Sequence, residues 1–182
     1  MKTLSTLALV GLLFFACKLC SFSDNTNRSN SNSNSSPSPQ KLMYARDFIK
    51  QYPGRPYTLV KTYDKEEARK TASGFTVKLI ERSSDTAGGE YKMNSGGTVV
   101  LMACSYSDTA TPAALVDELE TSLRGASAWK SVRAIPKSTG KRVEGVDGQG
   151  NGLVVWSNGQ WLFLAIGDSL SSVTSVADGV GY

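Results

Sequence analysis

With 182 residues, 40% of them hydrophobic and 9% aromatic, the chain has room for one ordinary domain but not for several. Its formal charge of +4 is too mild to single out a polyanion, and no nucleic acid is expected as a partner. Histidine is absent, which removes the commonest general base and the commonest metal ligand.

The first residues carry an address. Met1 and Lys2 precede an apolar run from Leu4 to Ala16, which is too short to span a bilayer, since a spanning helix needs about 20 apolar residues. This run ends Phe14-Phe15-Ala16-Cys17. A small residue directly before a cysteine, after such a run, resembles the lipobox of bacterial lipoprotein precursors, although Phe14 stands where an aliphatic residue is usual. The resemblance implies cleavage after residue 16 and a mature chain that starts at Cys17 and carries diacylglycerol, often with a third chain. It implies an extracytoplasmic, membrane-anchored protein of the cell envelope, sorted to the outer membrane where the host has one, because Lys18 is not the aspartate that retains lipoproteins at the inner membrane. A secretory peptide cleaved near Ala16 and an uncleaved anchor are the alternatives; all three export the domain.

Residues 17–40 follow as a tether. From Ser21 to Gln40, eight of twenty residues are Ser and five are Asn, with Phe22 the one large apolar side chain. Such a segment is expected to be disordered, with a reach of about 25 Å. Residues 41–182 form the expected single domain.

Within that domain, Ser38-Pro39 is positioned to cap a helix through Leu42, Ala45, Phe48, Ile49 and Tyr52, ending at Pro53-Gly54. Tyr57–Thr62 reads as a strand. Asp64 and Glu67 have capping-box spacing, predicting a short helix to Ala72. Phe75, Val77 and Leu79 alternate with Thr76, Lys78 and Ile80, predicting a strand. Glu90–Met93 and Thr98–Tyr106 predict a hairpin around Asn94 to Gly97. Thr111 as cap and Pro112 as first helical residue predict a helix to Arg124 with Leu115, Leu119 and Leu123 inward and Gly125 as its stop. Trp129–Ile135 and Lys141–Val146 are weaker strands. Gly152 to Ile166 contains the strongest hairpin signal, Asn158-Gly159, with Ser157 opposite Gln160 and Trp156 opposite Trp161. That pairing puts Val154, Trp156, Trp161 and Phe163 on one face and Leu153, Val155, Leu162 and Leu164 on the other. Asp168 is then expected to cap a helix through Leu170, Val173 and Ala177, stopping at Gly179. The fold class is α+β: an antiparallel sheet with helices packed on one side, in two successive hairpin-plus-helix units.

Signals for chemistry are sparse. Carboxylates fall at caps and on helix faces; Glu81, Asp85 and Glu90 are the one group the fold could gather for acid–base work. Ser138 to Lys141 matches S-x-x-K and overlaps a K-T-G-like Lys137 to Gly140, but the enzymes that use these elements keep them apart on a much larger fold. Asp147, Gln149, Asn151 and Gly152 imitate a calcium loop, yet Asn158 stands where the bidentate glutamate belongs, so a glycine-rich turn is expected. Cys104, in an apolar run, reads as a buried thiol; pairing with Cys20 stays open, and no metal or cofactor is called for.

Binding has more support. Trp156, Trp161 and Phe163 form an aromatic hairpin face able to stack on a sugar or cover a lipid chain, with Tyr91, Met93 and Tyr106 as an extension; the plainer reading is core. Lys130, Arg133, Lys137, Lys141 and Arg142 form a run without an acid among them, either a solvated face or an anionic-polymer site. The resulting expectation is an exported, lipid-tethered accessory domain binding a small apolar molecule, a glycan or a protein, with a structural interaction domain and a small carboxylate hydrolase as alternatives. The layout resembles that of small α+β bacterial lipoproteins, a resemblance that implies no activity.

Overall fold

The computed structural model describes residues 44–180, apart from 55–56, 73, 95 and 139. Cys17, Cys20, the tether and the Ser38-Pro39 cap lie outside the described residues. Seven antiparallel strands form one sheet: β1 (Tyr57–Tyr63), β2 (Asp85–Met93), β3 (Thr98–Ser105), β4 (Trp129–Lys137), β5 (Gly140–Asp147), β6 (Gly152–Asn158) and β7 (Trp161–Gly167). Their order across the sheet is β1-β2-β3-β7-β6-β5-β4. The chain meanders through β1 to β3 and crosses to the far edge. It then meanders back until β7 pairs with β3.

Among the described residues five helices cover the sheet: α1 (Ala45–Gln51), α2 (Lys65–Thr71), α3 (Phe75–Arg82), α4 (Ala110–Gly125) and α5 (Leu170–Gly179). The α+β class and the antiparallel sheet are as the sequence leads one to expect. Helices on one side only is corrected, because alternate residues of the central strands point into two separate cores. Val99, Leu101 and Ala103 of β3, Val154 and Trp156 of β6, and Phe163 and Ala165 of β7 pack under α1 and α5. Met102, Cys104, Leu153, Val155, Leu162 and Leu164 pack under α2, α3 and α4. A strand that is apolar on both faces needs cover on both. The two hairpin-plus-helix units exist in sequence, β2-β3-α4 and β6-β7-α5, but their helices go to opposite faces.

Local signals explain most elements. Asp64 Oδ1 accepts from the Glu67 amide at 2.9 Å, and Glu67 Oε2 accepts from the Asp64 amide at 3.1 Å, a complete capping box on α2. The expected strand at 75–80 is corrected to α3, whose buried residues Phe75, Leu79 and Ile80 repeat at helical spacing. On α4 the capping carboxylate belongs to Asp108, not Thr111: its Oδ1 accepts from the Thr111 amide at 2.7 Å and its Oδ2 from the Thr111 hydroxyl. These bonds hold the Asp108 carboxyl below its usual range. On α5 the cap is Ser169, whose hydroxyl accepts from the Ser172 amide. Asp168 instead accepts from the Thr98 amide at 3.0 Å, tying the start of α5 to β3.

The β6–β7 register is also corrected. Asn158 faces Trp161 and Trp156 faces Phe163, so the two loop residues are Gly159 and Gln160. Gly159, with φ of +58°, takes the first loop position, where both primed turn types require positive φ. The slip moves every pair by an even step, so the two faces keep the membership expected of them.

Cys104 is a buried free thiol in the α2/α3/α4 core, accepting from the Thr86 hydroxyl at 3.4 Å. Burial pushes it up to about 11 from an ordinary 9.0. Tyr91 and Tyr106 are raised by the same cause. All three are neutral when folded, and between pH 9 and 11 only the unfolded chain sheds the Cys104 proton. That stabilisation is complete below pH 9 and is lost as pH rises toward 11. The urea midpoint is expected to fall steadily across this window, and Cys104→Ala to flatten the fall. A midpoint that stays level from pH 9 to 11 in the parent chain would refute the assignment. The native thiol should also ignore Ellman's reagent at pH 8.

Candidate functional site

The aromatic residues Trp156, Trp161 and Phe163 and the five basic residues from Lys130 to Arg142 lie on the neighbouring strands β4, β5, β6 and β7. Register fixes their arrangement. Ile135 of β4 faces Arg142 of β5, Arg142 faces Trp156 of β6, and Trp156 faces Phe163 of β7, a single rung on the α1/α5 side. One rung along, Arg133 faces Glu144 and Glu144 faces Val154. By strand alternation Lys137 shares this side with Ile135 and Arg133, whereas Lys141 points to the other.

The aromatic face is mostly core. Phe163 is fully buried and Trp156 nearly so. The rings of Trp156 and Phe163 stack at 5.1 Å, and Phe48 of α1 covers Phe163 at 4.7 Å and Trp161 at 6.0 Å. Trp161, half-buried, completes the stack. Tyr91 and Met93 belong to the same core, while Tyr106 lies in the opposite one. A ring-stacking ligand would therefore have to displace α1 to reach Phe163.

The basic run separates into different environments. Lys130 and Lys137 are exposed on β4, an edge strand. Lys141 is held by Asp117 and by Glu120 Oε2, at 2.6 Å, both on α4; these partners raise its pKa, and Lys141 and Arg124 lower that of Glu120. Arg133 Nη2 donates to Glu144 Oε2 at 2.5 Å. Arg142 is buried: Nη1 donates to Asp178 Oδ1 of α5 at 2.5 Å, and Nε lies 2.9 Å from Glu144 Oε1 with its N–H directed elsewhere. Among the described residues, Nη2 of Arg142 and the indole Nε1 of Trp156 find no hydrogen-bond partner. The sequence reading missed Glu144 and Asp178. Glu144 was findable, because residues two apart in a strand share a face; Asp178 was not, because its approach depends on where α5 packs.

The remaining carboxylate signals resolve into structural hydrogen bonds. Glu81 pairs with Arg69, Asp85 accepts from the Ala45 amide at the start of α1, and Glu90 accepts from the Tyr63 hydroxyl. The calcium-like segment is the β5–β6 turn, in which Asp147 Oδ1 accepts from the Gln149 and Asn151 amides and Oδ2 from the Asn151 side chain. Among the described residues no group of three or more Cys, Asp or Glu is placed to hold a metal. A separate open cavity of about 400 Å³ lies at the root of α1, between Tyr44, Asp47, Asp64, Lys65 and Asp85. Three of these already serve the fold: Asp85 as above, Asp64 in the capping box, and Lys65 through a bond to the Ser83 carbonyl.

Against protein-family models, curated proteins and solved structures, the chain finds no match.

Proposed function

We propose that this is an exported protein held at a membrane by lipid on Cys17, and that its folded domain is a cell-envelope accessory module that binds a ligand. The observation that carries the anchor is the order of features from Met1 to Gln40: a basic start, a short apolar run, Ala16-Cys17, and a Ser/Asn-rich stretch leading to the domain. Among the described residues no helix is long and apolar enough to cross a membrane. A ligand-binding module is favoured over a carboxylate hydrolase by the way Glu81, Asp85, Glu90, Glu144 and Asp147 are each engaged in ion pairs or hydrogen bonds. Each of these carboxylates already serves a structural contact of the fold.

Metabolic labelling tests the anchor. Expressed in a bacterium fed an alkyne fatty acid, the full chain is expected to carry label and to enter the detergent phase. Cys17→Ala should lose both. A parent chain that is cleaved near Ala16, secreted and unlabelled would overturn the lipid anchor and leave an ordinary exported protein.

A further inference from the structure

We propose that Arg142 and Trp156 form a binding site for the carboxylate of a small aliphatic acid. The inference deepens the reading of the domain as a ligand-binding module and rests on it, but it does not depend on the lipid anchor.

Among the described residues three buried donors lack a hydrogen-bond partner, Nε and Nη2 of Arg142 and Nε1 of Trp156, and the last two, which no ion pair engages, define the site. The Arg142 side chain is 7% exposed and Trp156 is 4% exposed, yet Arg142 Nη2 and Trp156 Nε1 lack partners among the described residues. Buried N–H groups are nearly always satisfied, so each such exception points to a missing acceptor. These two belong to residues directly opposed across β5 and β6, whose Cβ atoms sit about 5 Å apart in such a pair. One carboxylate, with two oxygens, can accept from both, and its bond to the guanidinium is charge-assisted.

Charge balance selects an acid over a neutral acceptor. Arg133, Lys137 and Arg142 share this face of β4 and β5, and the acids that meet them are Glu144 and Asp178. One positive charge is left over, the charge of a single carboxylate. Glu144 is the only buried acid of the set and already serves two guanidiniums, while Asp178 is 61% exposed and screened by water.

The surroundings indicate the rest of the ligand. α5 packs over β6 and β7 and reaches only the margin of β5, so Arg133 and Lys137 of β4 stay exposed on this side. Ile135, half-buried, lies directly beside Arg142 on the rung. A short aliphatic tail can lie on Ile135, with Lys137 at the entrance and Asp178 at the rim.

The indole proton reports the site directly. In full-length protein labelled with ¹⁵N-tryptophan, the three indole signals separate Trp156 from Trp129 and Trp161, and Trp156→Phe assigns the first. Sodium butyrate, titrated at constant ionic strength against butyramide, is expected to move the Trp156 indole resonance saturably, while butyramide leaves it in place. Arg142→Lys, which keeps the charge but loses the planar fork, should weaken the response at least tenfold with the Trp129 and Trp161 signals unchanged. If that variant fails to fold, those two signals collapse and the parent titration alone decides. An unmoved Trp156 resonance overturns the site, as does an equal response to the amide. A ligand retained equally by parent and Arg142→Lys protein in native mass spectra would also overturn it, while preserving the binding module and placing its ligand elsewhere.

Discussion

Glu144→Leu is expected to cost about 3–5 kcal/mol, read as a lower urea midpoint at unchanged slope. Glu144 is 3% exposed and holds Arg133 through one oxygen and Arg142 through the other. Arg133 is 68% exposed, and water can replace its partner. Arg142 has no such recourse. Without Glu144 its guanidinium stays buried beside Asp178, a largely exposed carboxylate, and burying a charge without a matched counter-charge is far more costly than exposing one. Against a total stability of about 5–15 kcal/mol, the variant would be marginal at best.

The pair itself is a weak source of stability, and a second substitution exposes this. Adding Arg142→Met to Glu144→Leu removes the stranded charge, and the double variant is expected to regain most of the loss, because a buried ion pair and a well-packed apolar pair are often nearly equal in free energy. The double-mutant cycle should give a coupling of about 2 kcal/mol or more. Additive losses would instead mean that Arg142 is stabilised by Asp178 alone. If Arg142 and Glu144 are dispensable to folding in this sense, the carboxylate site proposed for Arg142 and Trp156 gives the buried guanidinium a role that folding does not.

These charges also show where sequence reasoning stops. The run from Lys130 to Arg142 contains no acid, and read as a line it is a basic patch. In the fold its acids arrive from elsewhere: Asp117 and Glu120 from α4, Asp178 from α5, and Glu144 from two residues further along the same strand. Period-2 geometry makes only the last of these legible. The same limit explains the helices. Local rules found the capping box of α2 and the Leu115, Leu119 and Leu123 face of α4, because those signals act within one or two turns. They misplaced the caps of α4 and α5, since Asp108 and Asp168 both precede polar runs in which several side chains can reach an amide. They misread α3, whose six-residue apolar window fits period 2 as easily as 3.6 until burial chooses Phe75, Leu79 and Ile80. Both faces of the β6–β7 hairpin were legibly apolar, and that pattern already implied helices on two sides of the sheet rather than one.

The second large effect is expected at Gly152, where the sequence suggests nothing beyond a turn. A Cβ there would sit 2.4 Å from the Leu170 Cα, 2.5 Å from its nitrogen and 2.6 Å from the Ser169 carbonyl carbon. These are backbone atoms of the first turn of α5 and cannot rotate aside. That turn is fastened by the Ser169 cap and by Asp168 on the Thr98 amide, so Gly152→Ala must push α5 off β6 as a body. A cost of about 3 kcal/mol is expected, at the upper end for overpacking. Two other glycines calibrate it. At Gly89 a Cβ meets side chains of Ile49, Tyr91 and Leu59, which can adjust, so Gly89→Ala should cost less, about 1–2 kcal/mol. At Gly150 nothing lies within 4 Å, and only its φ of +94° opposes a side chain, worth about 1 kcal/mol. Urea midpoints should therefore fall in the order Gly150→Ala, Gly89→Ala, Gly152→Ala, with the last lowest. Because α5 carries Asp178 to Arg142, Gly152→Ala should also shift the Trp156 indole resonance, about 14 Å along β6 from the substitution at strand rise, while Gly150→Ala leaves it in place. A Gly152→Ala protein no weaker than Gly150→Ala would mean that α5 rides loosely on the sheet, and that its Asp178 does not fix the geometry around Arg142.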